Sequence, residues 1–598
     1  MERFWRSGLI PDRHPAGRRR RRWDRVSWWY SLILVGAVIA LAITLAVSGD
    51  DDDGGLIGVV RDAYTGKPVS DATISTTNAT AQTNDDGGFR VVDPAATIVT
   101  VQKSNYESTQ VPVNPDGSRL EITLRPTRIE GVVTNRRTGE PIPGAIVTVT
   151  ASGGQSLTAV TDSEGRYAID NVPANATITV SYDGYTVETK QLGQNVTLDF
   201  AITPDALVGT VTDTSGSPIP RAVVQVGQNS TLTNDDGSFR LGGVPEDGTI
   251  VIHRVGYAEA ELPIPDNLRV EVQLSPFRVK AIYVSAHVAA LEDLWAEKLA
   301  IADSTEVNAI VLDLKDSTGH VFYKTSVPLA SQIGAVDEKF DPAVRLKEMK
   351  DRGIYTIARI VVFEDPILAE ARPDLAIHDL ATGRLWTTWN GLAWVNAHER
   401  DVWQYNIDLA VEAAKLGFDE IQLDYIRFPS DGLLENADYG DEFANETRLE
   451  AISGFLEQMQ RAIAPTGAYL AIDIFGLTMW DDDDGGIGQN VVALEPYVDV
   501  ICPMIYPSHF NPGDLGLDIP NNHPYEVILW SLSSGAEKIP HAKYKLRPWL
   551  QDFSYGEGIE YGDAEVLAQI QAADEFGSTG WMLWAPDNEY SVGGLAPQ

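Results

Sequence analysis

Gly417-Phe418-Asp419-Glu420-Ile421-Gln422-Leu423-Asp424-Tyr425-Ile426-Arg427-Phe428-Pro429 is the stretch on which the reading of this chain turns. A helical pattern stops at Gly417. Apolar Ile421 and Leu423 then alternate with polar Gln422 and Asp424, and a carboxylate, an arginine and aromatics gather where the alternation ends. A period of two marks a strand whose two faces differ. An aspartate at a strand's carboxyl end, in a chain that alternates strands with helices, stands where α/β barrels place their chemistry.

Working outward, residues 277–598 supply seven more strand candidates. With Glu420–Tyr425 they are Val279–Val284, Ala309–Leu314, Tyr355–Val362, Tyr469–Ile474, Val498–Tyr506, Lys545–Phe553 and Gly580–Ala585. Helical patterns lie between them at Ala289–Ala302, Pro342–Arg352, Val402–Lys415, Phe443–Ile463, Tyr525–Glu537 and Ala564–Phe576. Eight such units predict a (β/α)8 barrel. A doubly wound sheet is the alternative, but no strand is followed by a Gly-rich phosphate loop or a dinucleotide fingerprint.

The strand ends can then be taken together, because in a barrel they face one mouth. They read Asp313-Leu314-Lys315, Phe363-Glu364-Asp365, Asp424-Tyr425-Ile426-Arg427, Asp473-Ile474-Phe475, Tyr506-Pro507-Ser508-His509, Gln551-Asp552-Phe553 and Trp584-Ala585-Pro586. A ring of acids interleaved with aromatics suits a sugar cleft, with carboxylates for chemistry and flat apolar faces for pyranose C–H surfaces. Glycoside cleavage needs two carboxyl groups, one giving a proton to the leaving oxygen and the other acting as nucleophile or activating water. Asp424 and Asp473, on successive strands at equal depth, are expected to face each other across the mouth. Arg427 is expected to favour the charged form of Asp424. Asp473, flanked by Ile472, Ile474 and Phe475, is expected to hold its proton and serve as the acid. The bland reading is that either aspartate braces the barrel against Arg359 or Arg427. Glu364 and Asp552 are reserve carboxylates, and Asp313 with Lys315 is expected to orient substrate. Tyr506, His509, Trp584 and Trp389, the last in a loop with Trp386 and Trp394, complete the expected binding set. The nine histidines form no HExxH or His-x-His pair, so zinc chemistry is disfavoured, no Gly-x-Ser-x-Gly elbow is present, and no cofactor or metal is expected. Asp481 to Asp484 reads as a solvated turn, and Cys502 as an inert core thiol.

Before the barrel, residues 56–276 repeat one unit three times. The copies open with Leu56-Ile57-Gly58-Val59-Val60, Ile129-Glu130-Gly131-Val132-Val133 and Leu207-Val208-Gly209-Thr210-Val211. Each later carries an acidic turn running to an aromatic: Thr83 to Phe89, Thr161 to Tyr167 and Thr233 to Phe239. Short alternating strands separated by such turns predict three small antiparallel sandwiches, at 50–126, 127–204 and 205–276. Their turns lack the ligand series of a calcium loop, and a stalk or spacer is the main expectation, with glycan binding the lesser one.

Residues 26–49 hold no charged side chain, long enough for a membrane helix. Residues 1–25 carry nine arginines against three acids, which predicts a cytoplasmic tail and a single-pass anchor with everything downstream outside; a cleaved signal peptide is the competing reading. The whole chain has a net charge of −39, so nucleic acid and acidic polymers are poor partners, while neutral or cationic substrates are easier to accommodate. The single cysteine excludes intrachain disulfides and suggests a bacterial surface over a disulfide-rich secretory setting.

Two resemblances attach to these residues. The three copies resemble carboxypeptidase-regulatory-like repeats, prealbumin-like sandwiches that also resemble a carbohydrate-binding fold. The segments Phe418 to Pro429, Ala358-Arg359-Ile360-Val361-Val362-Phe363, Ile472-Asp473-Ile474-Phe475-Gly476 and Cys502-Pro503-Met504-Ile505-Tyr506-Pro507 resemble a bacterial family of glycoside-hydrolase-like barrels related to α-amylase-like enzymes. That resemblance implies Asp424 as nucleophile and the strand-five acid as proton donor, although amylase-like barrels usually carry glutamate where this chain has Asp473. The combined expectation is a membrane-anchored surface glycosidase acting on a cell-wall or extracellular polysaccharide. Its rival is a noncatalytic glycan-binding or adhesive protein, and a lyase or transglycosylase using the same acids is a third option.

Overall fold

The computed structural model describes residues 55–598. The basic tail and membrane helix expected over residues 1–49 lie outside the described residues. Among the described residues, no helix is long and apolar enough to cross a membrane. The chain divides into two compact units. One holds the first sandwich and most of the second; the other holds the third sandwich and the barrel.

Each sandwich pairs a three-stranded with a four-stranded sheet. In the first, Gly55–Asp62 lies between Gly88–Val92, its antiparallel neighbour, and Leu120–Leu124, which runs parallel to it. The third repeats this arrangement around Ala206–Asp213, again with a parallel last strand, Arg269–Leu274. The sheets are therefore not purely antiparallel, as the turn spacing had suggested. A parallel pair needs a long crossover, and here the four-stranded sheet supplies it.

The repeated Gly and aromatic are one packing device. Gly58 pairs with Phe89, Gly131 with Tyr167 and Gly209 with Phe239, each directly across the ladder. A Cβ on Gly58 would lie 2.5 Å from the Phe89 ring, so the ring occupies the space that glycine leaves free. The acidic turns satisfy their own backbone. Asn84 Oδ1 accepts from the Gly88 and Asp86 N–H groups, and Asp162 Oδ1 from those of Arg166 and Glu164.

The barrel closes in chain order through β1 (Val279–Val284), β2 (Ala309–Lys315), β3 (Tyr355–Val361), β4 (Glu420–Asp424), β5 (Tyr469–Phe475), β6 (Val500–Met504), β7 (Trp549–Gln551) and β8 (Gly580–Trp584). Every neighbouring pair is parallel. The longer helices packed outside are α1 (Glu292–Ser304), α2 (Pro342–Lys350), α3 (Arg400–Leu416), α4 (Arg448–Ile463), α5 (Pro524–Lys538) and α6 (Asp563–Phe576). Helix α3 ends at Gly417, whose φ of 107° lies in the left-handed region. Helix α4 starts at Arg448, five residues later than its apolar pattern, because Thr447 and Glu450 form a reciprocal capping box there. Strand β7 is much shorter than its sequence pattern, and Pro548, which has no N–H to give a ladder, immediately precedes it.

The period of two in β4 has an unexpected meaning. Ile421 and Leu423 face the helices, yet Glu420, Gln422 and Asp424 are buried as well, because the polar face is the barrel interior. Low in that interior, Glu420 is ion-paired with Arg547 and accepts from the Tyr355 hydroxyl at 3.2 Å. Above them the lumen is filled by Ala281, Val311, Ile357, Ala471, Cys502 and Met582. The Cys502 thiol is fully enclosed, and burial pushes its pKa up.

Removing one member of a buried ion pair strands the other charge away from water. Arg547→Met is expected to destabilise the barrel by about 3–5 kcal/mol, and Glu420→Gln in the same chain to recover much of that loss. Urea denaturation of the two variants checks both.

Candidate active site

The upper layer of the lumen is built by strand parity. Tyr283, Asp313, Arg359, Asp424 and Asp473 stand on β1 to β5 at positions whose alternate neighbours fill the layers below. Consecutive strands of a closed barrel bring the first four of these side chains into one chain of contacts, with Asp473 on the strand beside Asp424.

Arg359 is its centre. Its Nη1 donates to Asp313 Oδ1 at 2.6 Å. Its Nη2 and Nε donate to Asp424 Oδ2 at 2.5 and 3.2 Å. Tyr283 donates its hydroxyl proton to the other Asp313 oxygen at 2.5 Å. The ring of Tyr283 stacks on Trp584, with centroids 4.2 Å apart, and the Arg359 guanidinium lies over both rings. Burial alone would depress the Arg359 pKa, but Asp313 and Asp424 together drive it well above the ordinary arginine value. The cation that holds Asp424 is therefore Arg359 and not Arg427. Arg427 instead lies among the rings of Trp394, Tyr425 and Phe475, 4.7–4.9 Å from each centroid, and gives an N–H to the Phe428 carbonyl.

The backbone after Asp424 is strained. Tyr425 has a φ of 52°, in the left-handed region that bulky residues avoid, and its N–H turns back onto Asp424 Oδ1 at 2.6 Å. Both carboxylate oxygens of Asp424 are thus held.

Asp473 lies on the next strand. The β4–β5 register pairs Gln422 with Ala471 and Leu423 with Ile472, which puts Asp424 and Asp473 on the following rung, side by side and not across the mouth. Asp473 is 1% exposed. Its Oδ1 accepts from Trp549 Nε1 at 2.7 Å, while its buried Oδ2 has no hydrogen-bond partner among the described residues. Burial first, and the Asp424 charge second, raise its pKa well above the usual carboxylate range. An aspartic acid that keeps its proton beside an ion-paired aspartate is the division of labour that two-carboxylate chemistry uses.

A cavity of about 580 Å³ opens over the pair. Of the residues singled out from sequence, Asp424, Asp473, Arg359, Arg427, Tyr506, His509 and Trp584 line it. Burial lowers the His509 pKa, so this ring favours its neutral form. The others stand elsewhere. Asp313 sits behind Arg359 as its anchor. Lys315 follows a register shift at the end of β2, which turns it out of the lumen to pair with Asp365 at 2.9 Å and the Val361 carbonyl at 2.6 Å. Asp552 is capped by the Ser591 N–H and hydroxyl. Glu364 is buried beside Arg427 and Asp424; burial pushes it up to about 7. Trp389 is 70% exposed on its loop, whereas Trp386 and Trp394 are core side chains. Tyr283 and Trp549 escaped the sequence reading, although strand parity on β1 and β7 points to both. Trp480, Phe510, Asp431 and Asp514 also line the cavity from loops that follow β4, β5 and β6. The four aspartates from Asp481 to Asp484 serve a turn: Asp483 and Asp484 cap the N–H groups of Gly485, Gly486 and Gly488. Among the described residues no group of three or more His, Cys, Asp or Glu side chains is placed to hold a metal ion.

Residues 281–590 match the model of the family described as "Putative glycosyl hydrolase domain". Residues 128–203 and 206–275 each match the carboxypeptidase regulatory-like domain. Solved structures similar to the chain include a hypothetical protein from Ruminiclostridium thermocellum ATCC 27405, 32% identical over 32% of this chain and 96% of that one, with a TM-score of 0.30. Another is the PgaB (BpsB) glycoside hydrolase domain from Bordetella bronchiseptica, 11% identical over 54% and 99% of the two chains, with a TM-score of 0.39. A chitinase from Chromobacterium violaceum ATCC 12472 is 13% identical over 53% and 96%, with a TM-score of 0.33. Comparison with curated proteins finds no match.

Glu364 gives the fold a pH dependence of known sign. The folded chain holds this proton up to about 7, against an ordinary value of 4.5. Between those values the native state binds more protons than the unfolded one, so this contribution to stability is present at low pH and is lost as pH rises from 4.5 towards 7. Glu364→Gln is expected to remove about 3 kcal/mol of that dependence, seen as a smaller shift of the urea midpoint between acidic and mildly alkaline buffer.

Proposed function

The chain belongs to the glycosyl hydrolase domain family whose model its residues 281–590 match, and on that premise we propose that it is a membrane-anchored surface glycosidase cleaving O-glycosidic bonds in a cell-wall or extracellular polysaccharide. The observation that carries the reading is the pairing of Asp424 and Asp473. They occupy one rung of adjacent strands and open on one cavity, with one carboxylate clamped by Arg359 and the other inclined to keep its proton.

In this reading Asp473 gives its proton to the glycosidic oxygen as the bond from that oxygen to the anomeric carbon breaks. Asp424 either attacks the anomeric carbon or takes a proton from the water that does. Water supplies the hydroxyl of the new reducing end, and the two carboxyl groups return to their starting states. Arg359 orients Asp424, and Trp549 orients Asp473. Trp584, Tyr506, Trp480 and Phe510 provide the flat faces on which sugar rings stack. The sandwiches serve as the stalk, and the uncharged stretch at residues 26–49 as the anchor, with the barrel outside the cell.

Asp424→Asn and Asp473→Asn are each expected to lower reducing-end release by at least about 100-fold while oligosaccharide binding is retained. Activity of the unaltered protein is expected to fall as pH rises through the raised pKa of Asp473. Binding of glycans by the unaltered protein with no release from any of a broad panel would make the barrel a carbohydrate-binding module instead. Cleavage products that have not gained water would assign the same acids to a lyase or transglycosylase.

A further inference from the structure

The lower end of the barrel is covered by the third sandwich. Val255, in the turn after the sandwich strand Thr249–His253, and Phe277, where the chain enters the barrel, both pack against the apolar cluster that fills the lumen. The Phe277 ring lies 5.9 Å from that of Tyr355, whose hydroxyl donates to Glu420 of the lower ion pair. The Phe277 N–H donates to the Gly256 carbonyl at 2.9 Å, which joins turn and linker into one cap. Beside this cap the Arg254 guanidinium lies 3.2 Å from the centre of the Tyr544 ring, and His253 meets Tyr469 edge-on at 5.1 Å. Arg278 fastens the linker through the Ser578 carbonyl at 2.8 Å and Asp574 at 3.0 Å.

The other two copies lack these docking residues. Where the third has His253-Arg254-Val255, the first has Gln102-Lys103-Ser104 and the second Ser181-Tyr182-Asp183. The tyrosine that follows fixes the alignment, because in each copy it bridges to a proline: Tyr106 to Pro126, Tyr185 to Pro204 and Tyr257 to Pro276. Gln102 and Ser104 are exposed, whereas His253 and Arg254 are buried. A second position departs in the same direction. Asp71, Gly144 and Arg221 occupy one left-handed turn of the three copies, with φ of 49°, 79° and 58°. Glycine and aspartate accept that conformation more readily than arginine does. The Arg221 Nε donates to the Tyr544 hydroxyl at 3.4 Å. Two separate departures of the third copy thus converge on one barrel side chain.

We propose that the third sandwich is the floor of the barrel and not a length of stalk. It seals the lower lumen around Glu420 and Arg547, so that sandwich and barrel unfold as one cooperative body, and the first two copies alone act as spacer. A buried ion pair is strong only while water is kept from it. Lifting Val255 and Phe277 away opens Tyr355, and the pair beneath it, to solvent. Apolar burial and the guanidinium stacked on Tyr544 hold the seam closed. Residues in contact across such a seam share their stabilising energy, so a loss on either side is felt on the other.

The test is hydrogen exchange of the full-length chain in rising urea, read peptide by peptide by mass spectrometry. It follows unfolding and not hydrolysis, so its outcome is independent of the hydrolase reading. In the unaltered protein the third sandwich and the barrel are expected to lose protection at one urea midpoint. Replacing docking residues by those of the first copy, Arg254→Lys with Val255→Ser, is expected to lower the protection of β3 and β4 by about tenfold. Tyr544→Ala, on the barrel side, is expected to lower that of Thr249–His253 by a similar factor. Separate midpoints for the third sandwich and the barrel in the unaltered protein overturn the proposal. So does a variant whose loss of protection stays within the domain that carries the substitution. The substitutions start from opposite sides of the seam, so if one fails to fold, the other and the unaltered midpoints still decide.

Discussion

Arg359 shared between Asp313 and Asp424 is the contact on which the upper half of the barrel depends. A guanidinium buried this far from water costs several kcal/mol unless its donors are met, and three strands cooperate to meet them. The β2–β3 register sets Asp313 directly beside Arg359. The β3–β4 register sets Gln422 beside Arg359, which leaves Asp424 two residues higher, within reach of the fork. Tyr283 on β1 completes the remaining Asp313 oxygen. A fixed arginine then fixes Asp424, and Asp424 in turn raises the cost of ionising Asp473. The electrostatics of the pair thus follow from strand register.

The same economy appears low in the lumen and in the sandwiches. Glu420 and Arg547 complete each other where no solvent reaches, while the middle layer between the two charged layers is apolar or weakly polar. Charge at the lower end secures the barrel, and charge at the upper end opens on a cavity. In the sandwiches a glycine and an aromatic residue at fixed register let the ring lie against the backbone of the first strand. This explains why the two signatures recur together in all three copies.

The sequence reading of the site failed at particular residues for particular reasons. Listing acids at strand ends counts positions but not direction. Lys315 has the parity of a lumen residue, and a register shift after Asp313 turns it outwards. Asp552 and Glu364 lie past the ends of their strands, where the chain no longer alternates and loop contacts decide orientation. Arg427 is three residues from Asp424 in sequence, yet the left-handed turn at Tyr425 sends it into a cage of rings. Proximity along the chain was a poor guide to the cation on Asp424, because Arg359 reaches it from 65 residues away.

Hydrophobic periodicity, glycine placement and the count of strand and helix patterns were enough to determine the order of elements, the eight-fold barrel, the three repeats and the two aspartates on β4 and β5. These are local properties, written in consecutive residues and read with the periods of two and 3.6. What only the tertiary structure decided was which side chains share a space: Arg359 with Asp424, Trp549 with Asp473, Tyr283 with Asp313, and the loop acids Asp431 and Asp514 with the same cavity. Those meetings depend on the register between strands and on the closure of the barrel, which bring together residues far apart in the chain.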